Sequence, residues 1–172
     1  EVSAKGVVNT YTEEQLSDIF YQYGELTNAR KIALRIVDQR SKKPIETTLE
    51  LKEILNPLIP IKIKHKAMAQ IFQALRIEVN QELEALKSLL EQSSEVIKRN
   101  GRLCVISYHS LEDRLVKRFI KHGCFDSEPV KDEFGHSHKP FKKVGQLALP
   151  SETEIRKNKR ARSAKLRIAE KI

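Results

Sequence analysis

The residues best suited to chemistry crowd into one short stretch, Gly101-Arg-Leu-Cys-Val-Ile-Ser-Tyr-His-Ser-Leu-Glu-Asp-Arg114. Ser107, His109 and Ser110 place two hydroxyls and an imidazole within four positions, and Glu112 and Asp113 follow directly. A hydroxyl beside an imidazole is the raw material of nucleophilic catalysis, and paired carboxylates suit acid/base work. Neither signal is complete. There is no G-x-S-x-G elbow and no evident oxyanion loop. Carboxylates in a first helical turn are also favoured by the helix dipole alone.

A looser set is His122, Cys124, His136 and His138, whose ligand types suit zinc. Its spacing, in a polar loop rich in glycine and proline, favours a solvated loop, and no metal is expected. A third feature is Asn158-Lys-Arg-Ala-Arg-Ser-Ala-Lys-Leu-Arg167. Read as a strand, it puts Arg160, Arg162 or Lys165 on an exposed face, where arginine can pair bidentately with phosphate.

These residues need elements to hold them. Leu103-Cys104-Val105-Ile106 is apolar on both faces, which suits a buried parallel strand. Ser110 with Asp113 reads as a helix start, and Leu111, Leu115, Phe119 and Ile120 mark the inner face of a helix over about 111–121. The stretch is thus a strand, a polar loop and a helix, with Ser107, His109 and Ser110 at the carboxyl end of the strand, where open α/β sheets place their chemistry.

Upstream, residues 1–6 show no clear element. Thr12 with Gln15 and Thr47 with Glu50 are spaced as capping boxes. Between them Ala29, Ile32, Ala33, Ile36 and Val37 form a helical stripe whose other side carries Arg30, Lys31, Arg35 and Arg40. Residues 9–60 read as a small three-helix unit. A long helical region follows from about Lys64, with a second cap expected at Asn80. Downstream, 122–141 reads as a loop, Lys142–Leu149 as a short strand, and Ser151 with Glu154 as a cap. Ser163–Ala169 alternates as a last strand that buries one face, Ala164, Leu166 and Ile168; a helix over 154–170 is the alternative. The domain division expected is 1–63, helical, and 64–172, α/β.

Composition limits the classes. In 172 residues, 40% are apolar, enough for a real core. No apolar run is long enough to span a membrane, and no signal peptide is visible. Two cysteines suggest no disulfide framework, which fits a cytoplasmic setting. The net charge is +9, and residues 142–172 hold 10 Lys/Arg against 3 acids. Such a concentration favours a polyanionic partner, most often nucleic acid. Dinucleotide, P-loop, H-E-x-x-H and paired C-x-x-C signatures are all absent.

Four blocks in order carry a family resemblance: Val7–Glu25, Phe72–Leu83 (FQALRIEVNQEL), Gly101–Phe119 and Asn158–Arg167 (NKRARSAKLR). Together they resemble the bacterial RsmH/MraW family, S-adenosylmethionine-dependent methyltransferases that act on the exocyclic N4 of a cytidine in small-subunit ribosomal RNA. Tyr108 stands where the family usually has phenylalanine. The resemblance implies an α/β fold, a partial Rossmann-like methyltransferase sheet with an inserted all-helical domain for substrate recognition. It also implies that the glycine-rich S-adenosylmethionine motif lies upstream of residue 1, so no residue here is expected to touch the cofactor. Ser107, His109 and Ser110 then form a pocket wall facing the target base. Arg160, Arg162 and Lys165, with Arg30, Lys31 and Arg35, contact rRNA or the ribosomal subunit. A homodimer paired through a sheet edge, and a non-catalytic RNA-binding module, are the competing expectations.

Overall fold

The computed structural model describes residues 2–125 and 139–172. The chain divides into two compact units, residues 1–82 and 83–172. The division falls at 82/83 and not at 63/64. The long helix that follows residue 63 buries Ala67, Met68, Ile71, Ala74 and Leu75 in the core of the helical unit, and so belongs to it.

The first unit is built from α1 (Ala4–Thr10), α2 (Glu13–Gln22), α3 (Ala29–Arg40), α4 (Thr48–Leu55) and α5 (Lys64–Asn80), with two 3-10 turns before α5. Helix α1 occupies residues expected to be irregular. Ser3 caps it by accepting from the Gly6 N–H at 3.0 Å. The Thr12/Gln15 and Thr47/Glu50 capping boxes are both formed. In α3 the expected stripe is inward: Ala29, Ile32, Ala33 and Ile36 are buried against Leu16 and Phe20 of the same core. Arg40 is not a surface cation. Its guanidinium donates to the carbonyls of Val8, at 2.7 Å, and Tyr11, at 2.5 Å, at the end of α1. Those carbonyls have no helical partner of their own.

Gln81, left-handed at φ 50°, separates α5 from α6 (Glu82–Val96). Asn80 is therefore the last residue of α5 rather than the cap of α6, and its amide donates to Glu82.

The second unit carries a three-stranded antiparallel sheet of β1 (Arg102–Ser107), β2 (Phe141–Ala148) and β3 (Lys165–Lys171), in the order β1-β3-β2. Helix α7 (Ser110–His122) and the Leu86/Leu90 side of α6 cover one face. There Val116, Phe119 and Ile120 meet Leu103, Val105, Phe141 and Ala169. Phe125 stacks on Phe119 at 5.2 Å between ring centroids. The short α8 (Glu152–Lys157) is capped by Ser151 with Glu154, as its spacing predicts.

Two expectations for the sheet are corrected. β1 pairs antiparallel with β3, Cys104 opposite Ile168 and Ile106 opposite Leu166, and it is covered on one face only. Cys104 is exposed, and Ile106 is 56% exposed, because α6 and α7 both lie on the Leu103/Val105 side. The last strand exists, but with its faces exchanged. The face with Lys165, Arg167 and Ala169 lies against α7, while Leu166 and Ile168 share the side of Cys104 and Ile106. A charged strand face can turn inward here because α7 supplies a carboxylate to receive it.

Replacing Arg40 by Leu removes two charge-assisted bonds from the end of α1, each worth roughly 1.5–3 kcal/mol. The helical unit should unfold at clearly lower urea, followed by tyrosine fluorescence, since Tyr11, Tyr21 and Tyr23 all lie in it. An unchanged midpoint would show that the two bonds contribute nothing net.

Candidate functional site: the mouth between β1 and α7

β1 delivers its last residue, Ser107, to the foot of α7. Ser107 is 2% exposed, and its Oγ has no hydrogen-bond partner among the described residues. Such a hydroxyl normally finds one, so an orphan at a strand end is a free donor and acceptor. Tyr108 is exposed. Ser110 is the first residue of α7 and is also exposed.

The helix cap is His109, not Ser110. Its backbone is extended (φ −135°, ψ 165°), and its Nδ1 accepts from the Glu112 N–H at 3.4 Å. Glu112 reaches back: Oε2 accepts from the N–H groups of Tyr108, at 2.8 Å, and His109, at 3.3 Å. This is a capping box in which imidazole replaces the usual serine or threonine hydroxyl. With Nδ1 accepting, the neutral ring carries its proton on Nε2, which lies 3.3 Å from Glu112 Oε1 but has no well-aligned hydrogen-bond partner among the described residues. Burial raises the pKa of Glu112, but hydrogen bonds from His109 and Tyr108 outweigh it, and the carboxyl ends at about 2.

Asp113, the next residue, does different work. It is buried and faces the sheet. Arg167 grips it with two bonds, Nε to Oδ1 at 2.7 Å and an Nη to Oδ2 at 3.1 Å, and Lys165 Nζ lies 3.3 Å from Oδ2. Burial pushes its pKa up, yet the bonds from Arg167 and Lys165 prevail and hold it below the usual value. Lys165 is also directly opposite Ser107 in the ladder. So the mouth is fixed by two adjacent carboxylates. Glu112 binds the loop backbone, and Asp113 binds β3.

The sequence singled out Ser107, His109 and Ser110, and the structure brings all three to one turn. It does not join Ser107 to His109: Ser107 Oγ makes no bond to the imidazole, unlike the serine and histidine of a hydrolase triad. The roles of Asp113 and Arg167 were missed. A signal existed, since Asp113 sits three and seven residues before the inward Val116 and Ile120 and so shares their face.

The candidate phosphate-binding residues fall into both units. Arg30 and Lys31 are exposed on α3. Arg35 is partly spent, donating to the Ile54 carbonyl at 3.3 Å. Arg160 and Arg162 are exposed, but on a 3-10 turn, Lys159–Ser163, rather than on a strand. Asn158 accepts from the Arg160 N–H and so starts that turn. Lys165 does lie on a strand, but it is committed to Asp113 and is not a free surface cation. No cluster of metal-ligating side chains occurs among the described residues. His136 and His138 lie outside them. Among the described residues no helix is long and apolar enough to cross a membrane.

Comparison with known proteins places this frame. The family model described as the MraW methylase family matches residues 1–172. The chain is 56% identical over 172 residues to a protein of Flavobacterium johnsoniae named ribosomal RNA small subunit methyltransferase H, covering all of this chain and 57% of that protein. It is 54% identical over 172 residues to the protein of that name from Christiangramia forsetii, again covering all of this chain and 57% of the relative. The Bacteroides fragilis protein of that name is 53% identical over 171 residues, which are 99% of this chain and 56% of the relative. The chain belongs to the MraW methylase family. It spans a little over half the length of these relatives.

The lowered carboxylates set a pH dependence. A depressed folded-state pKa contributes stability that is present above the unfolded value and lost as pH falls through the folded one. Glu112 therefore stabilises the sheet unit above its ordinary 4.5 and loses that contribution as pH falls to about 2. Asp113 acts in the same direction. In an acid titration of the sheet unit, E112Q should show a shallower loss below pH 4.5 than the wild type, since glutamine keeps the box but not the charge. An identical acid limb in both would remove Glu112 from the account.

Proposed function

We propose that this chain is the C-terminal part of an enzyme that transfers a methyl group from S-adenosylmethionine to the exocyclic N4 of a cytidine in small-subunit ribosomal RNA. The relatives' names and the family match support the reading. The observation in the fold that carries it is the buried Ser107 hydroxyl at the end of β1, unpartnered among the described residues. On this reading the helical unit is the inserted substrate-recognition domain, and residues 83–172 contribute the second half of a Rossmann-like methyltransferase sheet. The protein works in the cytoplasm on rRNA or the ribosomal subunit.

The described residues do not fit the methyl donor. The glycines are too far apart for a phosphate or adenosine cradle, and the single orphan oxygen at the mouth is one hydroxyl. No cofactor-contacting residue is assigned to this chain, and no step is derived through the donor.

What the chain's own residues do concerns the target. The N4 lone pair of cytosine is delocalised into the ring. An acceptor for one N–H polarises the amine and orients its lone pair for in-line attack. Ser107 Oγ is suited to that task because no group among the described residues competes for it. The base must leave its stack to reach the strand-to-helix turn. His109 acts through the backbone: it caps α7 and, with Glu112, holds Tyr108 and Ser110 in place. It is a positioning residue. Arg160, Arg162, Arg30, Lys31 and Arg35 supply phosphate contacts, which position RNA without reading its sequence.

The test uses the full-length protein, small-subunit rRNA and S-adenosylmethionine, with mass spectrometry locating the methyl group. His109→Ala should lower the methylation rate more than RNA affinity, while His109→Asn, a good N-cap, should restore most of the rate. Failure of Asn to rescue would give the imidazole a direct role. Methylation at another atom, or none, would refute the reading as a whole.

A further inference from the structure

The sheet unit has a recess farther along α7 than the Asp113–Arg167 link. It lies between α7 and β2 and encloses about 200 Å³. Its origin is a bulge. Between the pairs Val144–Ile168 and Ala148–Leu166, β2 uses three residues, Gly145–Leu147, where β3 uses only Arg167. Gly145 adopts φ +65° at the bulge, a conformation that favours glycine. The displaced strand leaves a groove floored by Ile120 and Leu147.

Four lysines rim this groove: Lys117, Lys121, Lys139 and Lys143. All four are exposed. Among the described residues none of the four makes an ion pair, and no acidic side chain lines the groove. Arg167 forms its back wall with its charge already spent on Asp113. Nearby, His122 reports the same field: burial lowers its pKa, and the cations Lys121, Arg118 and Lys139 lower it further. Like charges facing one recess repel one another, which is tolerable where a polyanion relieves them. Lys117 and Lys121 stand one helical turn apart, about 6 Å along the axis. That separation is comparable with the spacing of consecutive phosphates on one nucleic-acid strand.

The geometry points to the α7/β2 groove as a binding track for the sugar-phosphate backbone of RNA, held by Lys117, Lys121, Lys139 and Lys143. It rests on the reading of the protein as acting on RNA, and it adds a contact surface outside Arg160, Arg162 and the α3 cations. Ammonium groups on flexible stems act as point charges, so the track gives affinity and orientation without sequence preference.

The test measures binding of the full-length protein to a fluorescein-labelled small-subunit rRNA stem-loop by anisotropy across a salt series, with an unrelated RNA of equal length alongside. The double variant K117Q/K143Q should bind both RNAs more weakly by the same factor. The slope of log affinity against log salt should become shallower by about one for each lysine removed. The pair K62Q/K66Q, exposed lysines of the helical unit, removes the same charge and should change the slope much less. A K117Q/K143Q slope equal to that of the wild type, or to that of K62Q/K66Q, would overturn the groove while leaving RNA binding intact. No RNA binding by the wild-type protein would overturn both.

Discussion

A carboxylate taken out of water must be paired, and in this protein that requirement falls on Asp113. Its position on α7 is fixed by helix geometry, three residues before Val116 and seven before Ile120, so docking the apolar face of α7 carries the charge inward as well. The sheet answers with Arg167 and Lys165. That answer decides which face of β3 turns toward α7, and it ties the first turn of the helix to the strand beside β1. Ser107, directly opposite Lys165, is held at the same spot. The polar mouth lies beside this one link, and the basic groove farther along α7.

Adjacent carboxylates divide the work. Glu112 is bound to the backbone of Tyr108 and His109, and so sets the local shape of the loop. Asp113 is bound to a strand more than fifty residues away in sequence, and so sets where that loop sits on the sheet. Because neither carboxylate is left free, the mouth is better suited to holding and orienting a target than to exchanging protons with it. That fits a methyl transfer, in which attack by a polarised amine, rather than a proton relay through the enzyme, is the main demand.

Much of this was legible in the residues. The capping boxes at Thr12, Thr47 and Ser151 follow from a hydroxyl and a longer acceptor three residues apart, a purely local rule. The strand–loop–helix around Ser107 follows from an apolar run that ends in polar residues. Non-local facts were not legible. Alternation in Ser163–Ala169 identifies a strand, but its two faces differ only in company: Leu166 and Ile168 look like the inner set until Asp113 is known to receive Arg167. Likewise, the apolar run Leu103–Ile106 looks buried on both sides, because sequence does not show that both helices lie on the Leu103/Val105 face. From sequence His109 reads as part of the pocket wall; that it also caps α7 is not legible, since imidazole is a less familiar cap than serine.

The central claim is that Asp113 and Arg167 act as one unit that holds the mouth. A double-mutant cycle with Asp113→Asn and Arg167→Met, read by the unfolding free energy of the sheet unit and by amide exchange at Tyr108–Asp113, tests it most directly. The account predicts that each single change is costly and that the double change costs less than their sum, with a coupling of about 1–3 kcal/mol and faster exchange in both singles. Additive losses with unchanged exchange at the mouth would contradict it.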